Sequence, residues 1–137
     1  MNSIIFDKFY CLFLFFRTAF FKGINKNIGV DKYQIEQELS KLLDDCKFWI
    51  DNHTFPEDEI AIRFKHRLVK IHPFPNGNGR HSRLCADILI SKGLKQKIFT
   101  WGSKNISDQG ETRTKYLKAI YEADGENIKP LLEFARS

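Results

Sequence analysis

The chain is short of cysteine. The three it has, Cys11, Cys46 and Cys85, are odd in number, far apart and outside any C-x-x-C pair. That excludes a disulfide framework and a cysteine zinc site, and a reducing cytoplasm is the expected compartment. The histidines His53, His66, His72 and His81 also lack ligand spacing, so no histidine metal cluster is expected. Long hydrophobic runs are missing too. The run in the Phe-rich start goes only from Phe9 to Phe16, Arg17 ends it, and a spanning helix needs about 20 apolar residues. Without a clear basic start or small-residue cleavage site, no signal peptide is read there either. No membrane role is expected. There are no internal repeats, and acidic charge is in deficit, with 17 Asp and Glu against 22 Lys and Arg.

What is present describes one globular domain. The 137 residues suffice for a single core, and an apolar content of 42% with 28% charged residues is ordinary. The net charge of +5 suits an anionic partner. No zinc finger, basic-region helix or RNA-binding aromatic signature accompanies it, so direct nucleic-acid binding is not expected.

Residues 1–23 hold seven of the 13 phenylalanines and form an atypical N-terminal segment, read as truncated or replaced. Residues 24–35, INKNIGVDKYQI, suit an extended hairpin-like segment. Ile35, Leu39, Leu42, Leu43, Cys46, Trp49 and Ile50 then recur at three- and four-residue steps, which predicts an amphipathic helix after an Asp31 cap. Thr54-Phe55-Pro56-Glu57 opens a second helix, lined by Ile60, Phe64, Leu68 and Ile71 and ended by Pro73. Leu84, Ile88 and Leu89 mark a third helix that stops near Gly93. Residues 94–106 read as an irregular connector containing Trp101. A fourth helix is predicted from Asp108 to Ala123, and a short last one carries Leu131, Leu132 and Phe134. The fold class is mainly α, a compact helical domain with a small β-hairpin.

The chemistry concentrates in residues 72–83, HPFPNGNGRHSR. Gly77-Asn78-Gly79 lies where a loop enters a helix, and glycines there let backbone N–H groups turn inward as an anion nest. The helix start adds its own unpaired N–H groups and partial positive charge. Arg80 and Arg83, three apart, share a face and can reach one anion. A triphosphate fits that much positive charge. No GK[S/T] follows, so this is not the nucleotide P-loop, and a helix rather than a strand precedes it, which excludes the dinucleotide fingerprint. His72, at the end of the preceding helix, titrates near neutrality and can take a proton from an attacking hydroxyl. His66 and His81 read as surface or structural.

These twelve residues resemble the signature of the Fic (Fido) family, HPFx[D/E]GNGRxxR, at every fixed position except Asn76. Asn27-Ile28-Gly29-Val30 resembles the family's hairpin flap. The tail from Arg113 through Tyr116, Ala119, Ala123, Pro130, Leu131 and Phe134 resembles its closing helices. Within the family the NGNGRH form is most similar to the mobile mystery protein B group. The resemblance covers residues 24–137.

It implies a helical domain that transfers AMP from ATP to a Ser, Thr or Tyr hydroxyl of a target protein. By this likeness His72 is the general base, and Asn78 with the amides of Gly77 and Gly79 holds the α-phosphate. Arg80 and Arg83 take the outer phosphates, and residues 27–30 align the target by strand addition. Asn76 stands at the position of the family's Mg²⁺ ligand, usually a carboxylate, and offers an amide oxygen without charge. The inhibitory [S/T]xxxE[G/N] helix of some members has no counterpart here. Inhibition is therefore expected from another protein, with a helix-turn-helix neighbour implied, or else the start of the gene has been lost. Three other readings remain open at this level: a relative that moves another phosphate-linked group, a nucleotide-binding remnant without turnover, and a basic nucleic-acid module.

Overall fold

The computed structural model describes residues 28–104 and 109–137. The Phe-rich segment 1–23 and Asn27 of the expected flap lie outside the described residues. Within them the chain passes through a 3-10 turn at Lys32–Gln34 and then five α-helices. These are α1 (Ile35–Asp51), α2 (Glu57–Ile71), α3 (Asn78–Ile88), α4 (Gln109–Asp124) and α5 (Lys129–Arg136). The class is mainly α, as the periodicities predict.

One expectation needs correcting. No strand occurs among the described residues: 28–30 form a bend, and Lys32–Gln34 are helical rather than extended. The reason is local. The Asp31 carboxylate accepts the N–H of Tyr33 at 2.9 Å, and the Asp31 carbonyl accepts that of Gln34 at 2.8 Å. This side-chain cap winds the segment into the start of α1 instead of leaving it free to pair.

Helix α1 buries Ile35, Leu39, Leu42, Leu43, Cys46 and Ile50, the stripe its spacing predicts. Trp49 is half-buried against Phe55, edge to face at 5.7 Å. Pro56 caps α2, and Glu57, Asp58 and Glu59 sit in its first turn, where the dipole favours acids. This helix is the hub. It packs on α1, α3 and α5, and Ile60, Ala61, Ile62, Phe64, Leu68 and Ile71 are all buried. Each large apolar side chain so buried contributes about 1.5–3 kcal/mol before chain entropy is subtracted. Two polar residues of α2, Lys65 and His66, are buried with them.

Helix α3 departs from expectation. Leu84 is 58% exposed, while Asn78, Ser82, Cys85 and Ala86 face inward. The helix then widens into a π-helical turn at Leu89–Gly93, where the N–H of Leu94 reaches the Leu89 carbonyl at 2.9 Å. The described part of the connector after it, as far as Lys104, is tied down rather than loose. Thr100 and Trp101 both donate backbone N–H groups to Ala135 O, at 2.9 and 3.1 Å. Arg136 pairs with Asp58 at the start of α2 and donates to the carbonyls of Lys97 and Ile98.

Helix α4 buries little apolar surface, only Ala119 and Ala123 fully, and packs on α5. Polar side chains fasten it to α2. His66 Nε2 lies 2.8 Å from Asp124 Oδ1, and Lys65 Nζ bonds Tyr116 Oη. His66 is thus structural, and burial holds its imidazole below the ordinary value despite the opposing pull of Asp124.

Candidate active site

Helix α2 ends at His72 in the left-handed conformation, φ 53 and ψ 58. Such backbone is uncommon for a residue with a Cβ, and Pro73 disfavours helical geometry in the residue before it. Non-glycine left-handed backbone costs about 1–2 kcal/mol. Three contacts hold it there. His72 N–H reaches Leu68 O at 3.3 Å, Val30 N–H caps the Ile71 carbonyl at 3.3 Å, and Gly29 lies flat against both residues. A Cβ at position 29 would stand 2.5 Å from His72 Cβ and 2.5 Å from Ile71 O. Gly29 is therefore required by close approach as well as by its φ of +79. The bend at Ile28–Val30 sits directly on the histidine.

The loop then turns into α3. Gly77, at φ 72, supplies the left-handed residue before the helix. Asn78 closes the loop: its Oδ1 accepts Phe74 N–H at 3.0 Å, and its Nδ2 donates to Phe74 O at 2.8 Å. Phe74 is fixed further by its ring against His81, edge to face at 4.7 Å. The first bond of the helical ladder runs from His81 N–H to Gly77 O at 3.0 Å. The N–H groups of Asn78, Gly79 and Arg80 precede that ladder and make the positive end of the helix. A Cβ at Gly79 would meet only Tyr116 Oη, at 3.9 Å, so the protein itself leaves room above this residue.

These pieces meet in one cleft of about 830 Å³. His72, Gly77, Asn78, Gly79, Arg80 and Arg83 all line it. The opposite wall is Trp101 with Gly102 and Ser103, the start of α4 with Thr112, Arg113, Tyr116 and Leu117, and Phe134 of α5. Among the described residues, three arginines and no Asp or Glu line the cleft. Its chemistry is that of a receptor for an anion carrying several charges, with an imidazole at one edge.

Of the flap, Ile28 is 57% exposed, Gly29 and Val30 dock on the end of α2, and Asn27 lies outside the described residues. Asn76 is exposed in the loop. Among the described residues no group of three His, Cys, Asp or Glu is placed to hold a metal ion. The residues present fit only an ion that takes its negative charge from a bound anion rather than from the protein.

Sequence reasoning missed several contributors. Arg113 is the third arginine, and its spacing of three from Tyr116 was the one signal that both share a face of α4. Trp101 is held at the wall by Asp87, whose carboxylate oxygens accept its indole N–H at 3.1 and 3.2 Å. Burial raises the Asp87 carboxyl, tempered by that bond and by Phe99 N–H. Lys65 lies beneath the site, its Nζ on Tyr116 Oη, while Arg83 Cζ stands 5.2 Å from the Tyr116 ring centroid.

Comparison with known proteins agrees with this geometry. Residues 2–90 match the Fic/DOC family, a span that begins inside the Phe-rich segment and ends in the π-helical turn. The chain is 29% identical over 100 residues to "Protein adenylyltransferase Fic" of Aedes aegypti, covering 71% of this chain and 18% of that protein. It is 27% identical over 101 residues to "Protein adenylyltransferase fic-1" of Caenorhabditis briggsae, covering 72% of this chain and 18% of that protein. The chain thus spans less than a fifth of either relative's length. With more than half of its residues inside the family match, and the motif residues gathered in one cleft, the chain belongs to the Fic/DOC family.

Proposed function

We propose that this chain transfers AMP from ATP to a Ser, Thr or Tyr hydroxyl of a target protein. The observation that carries the reading is the cleft itself: His72 at the edge of a pocket that, among the described residues, is lined by three arginines, a helix N-terminus and no carboxylate. The names of the two relatives support the same chemistry.

In this mechanism ATP lies along the start of α3. The backbone N–H groups of Asn78, Gly79 and Arg80 face the α-phosphate, and Arg80, Arg83 and Arg113 hold the outer phosphates. The target segment lies against the bend at Ile28–Val30, so its hydroxyl comes beside His72. His72 removes the hydroxyl proton as the oxygen bonds the α-phosphorus. The bond from that phosphorus to the bridging oxygen breaks, and pyrophosphate leaves on the arginines. Asn78 acts mainly by holding the loop, since both functions of its amide already bind Phe74. A Mg²⁺ ion bound with ATP would neutralise phosphate charge, and Asn76 Oδ1 is the oxygen the loop offers it.

The finer placement, near the mobile mystery protein B group, rests on the NGNGRH form. It brings with it a helix-turn-helix protein as regulator, while the cytoplasm as compartment rests on the few, scattered cysteines. The test of the main reading is mass spectrometry of lysate proteins incubated with ATP, Mg²⁺ and this chain. An AMP adduct on a hydroxyl, absent with His72→Ala, is the expected result. An adduct of another mass would identify a different phosphate-linked group, and no adduct at all would overturn transfer.

A further inference from the structure

Lys65 is the least expected residue near the cleft. It is fully buried at 0% exposure, in the middle of the hub helix α2. Its Nζ bonds Tyr116 Oη and lies 4.6 Å from that ring's centroid. No carboxylate among the described residues acts on it, and its charged neighbour is Arg83 of α3, of like sign. From α4 the titratable group facing it is Tyr116, from α5 the Phe134 ring packs behind Tyr116 at 5.4 Å, and His66 is its neighbour on α2 itself. An ammonium buried beside a guanidinium, with no counter-ion among the described residues, is unfavourable twice over, by desolvation and by repulsion. The protein has placed a proton-accepting amine under an arginine that faces the anion cleft.

We propose that Lys65 is a positioning residue for the anion site, which fixes Tyr116 and Arg83 and takes up a proton when a polyphosphate seats on Arg83. The inference rests on the cleft being the nucleotide site, as argued above, and adds a proton to the binding step. In the free protein burial first, and then Arg83, hold the amine down to about 7. A polyanion on Arg83 cancels the repulsion and adds attraction, so it favours the ammonium. The proton comes from solvent. Tyr116 Oη, which lines the cleft, passes its proton to Nζ and is reprotonated from the cleft side. Charged Lys65 then donates to Tyr116 while Arg83 is free to turn its guanidinium to the phosphates. By reciprocity, what the anion does to the proton the proton does to the anion. Affinity must therefore fall as pH rises above 7, by at most about tenfold per pH unit for one linked proton.

The experiment is calorimetric titration at pH 8 in buffers of different protonation heat, with ATP carrying a methylene between its α- and β-phosphorus. That analogue is not cleaved at the bond in question, and its terminal phosphate is already ionised at this pH. Seating it on arginines would by itself take up no proton. The expected result is uptake of roughly half a proton or more per ligand in the wild type. Lys65→Met should still bind the analogue and take up none. His72→Asn should keep the uptake, which separates the amine from the imidazole at the cleft edge. Should Lys65→Met fail to fold, the His72→Asn profile decides: uptake must persist in it and be greatest above pH 7. Binding without uptake at pH 8, or uptake that survives in a folded Lys65→Met, overturns the proposal and leaves the nucleotide site standing. Failure of the analogue to bind overturns both.

Discussion

Asn78 clasps Phe74 by both main-chain groups, accepting its N–H at 3.0 Å and donating to its carbonyl at 2.8 Å. At 4% exposure, Asn78 makes these bonds out of reach of solvent. This one side chain therefore ties the two ends of the glycine loop together. Asn78→Ala should destabilise the fold by about 1–3 kcal/mol, the loss of two such bonds, read by urea denaturation. Asn78→Asp keeps the acceptor and loses the donor, so its stability should fall between the two. It also sets a carboxylate at the helix start, where it competes with the phosphates, and ATP affinity should drop further than in Asn78→Ala. Equal affinity in both variants would argue against an anion seat at this helix end.

The strain at His72 gives a second prediction. Glycine adopts φ 53 freely, whereas histidine there costs about 1–2 kcal/mol. His72→Gly should unfold at or above the wild-type temperature, although it deletes a side chain from the end of α2. AMP transfer should fall by about 10² to 10⁴, the usual loss for a general base. A variant that is less stable than wild type would mean the side chain holds the loop rather than serving chemistry.

Gly29 and Gly77 share a positive φ and differ in their surroundings. A Cβ at 29 meets Ile71 O and His72 Cβ, both at 2.5 Å, while one at 77 meets nothing within 4 Å. Gly29→Ala should lift the bend off α2, break the bond from Val30 to Ile71 O and speed amide exchange at Val30. Transfer should fall while ATP affinity holds. Gly77→Ala should cost only the backbone strain, about 1–2 kcal/mol, with the bend in place. Unchanged exchange at Val30 in Gly29→Ala would show that the contact is not tight in solution.

Much of this architecture is legible in the sequence, and the exceptions share a cause. The stripe of α1 is readable because one face meets the core and the other meets water. The entry of α2 is readable from Pro56 and the three acids after it. By contrast, Leu84 looks like core and is exposed, because α3 turns its small and polar side, Ser82 and Cys85, toward the hub. Lys65 looks like surface and is buried, because Tyr116, 51 residues on, covers it. That His72, Gly77, Gly79, Arg80 and Arg83 lie together was legible because a single loop carries them. Arg113 and Trp101 were not, since only the packing of α4 and the connector brings them across.

Lys65 also sets how stability should depend on pH. The folded state holds its amine at about 7, against 10.5 ordinarily, so between these values the unfolded chain binds the extra proton. Stability then rises with pH from about 7. Cys46 and Cys85 work the other way, since burial pushes both thiols up from 9.0 to about 12. The stability they contribute is complete below pH 9 and is lost as pH climbs toward 12. Urea denaturation should therefore show a maximum near pH 9, and Lys65→Met should flatten the rise between 7 and 9. A wild type that loses stability steadily across that window would mean Lys65 is solvated.

Under the proposed function, Asn76 is the residue through which the loop would meet a metal ion. Mg²⁺ favours hard oxygen ligands, usually one or two carboxylates with substrate phosphates. Here the loop offers an exposed amide, and the cleft lining contains no carboxylate among the described residues. The phosphates must then supply nearly all the negative charge, so the ion should be held loosely. A carboxylate at 76 would attract it at close range, by about 4 kcal/mol at an effective dielectric near 20, before desolvation is subtracted. Asn and Asp are nearly isosteric, so Asn76→Asp should leave the fold intact. Arg80 and Arg83 would temper the gain by drawing the new carboxylate toward themselves. ATP affinity should therefore rise more steeply with Mg²⁺ in Asn76→Asp than in the wild type. Without Mg²⁺ it should fall, because the added charge then only repels phosphate. Calorimetric titrations of ATP across a Mg²⁺ series read both effects, and superimposable curves would show that position 76 stands clear of the ion.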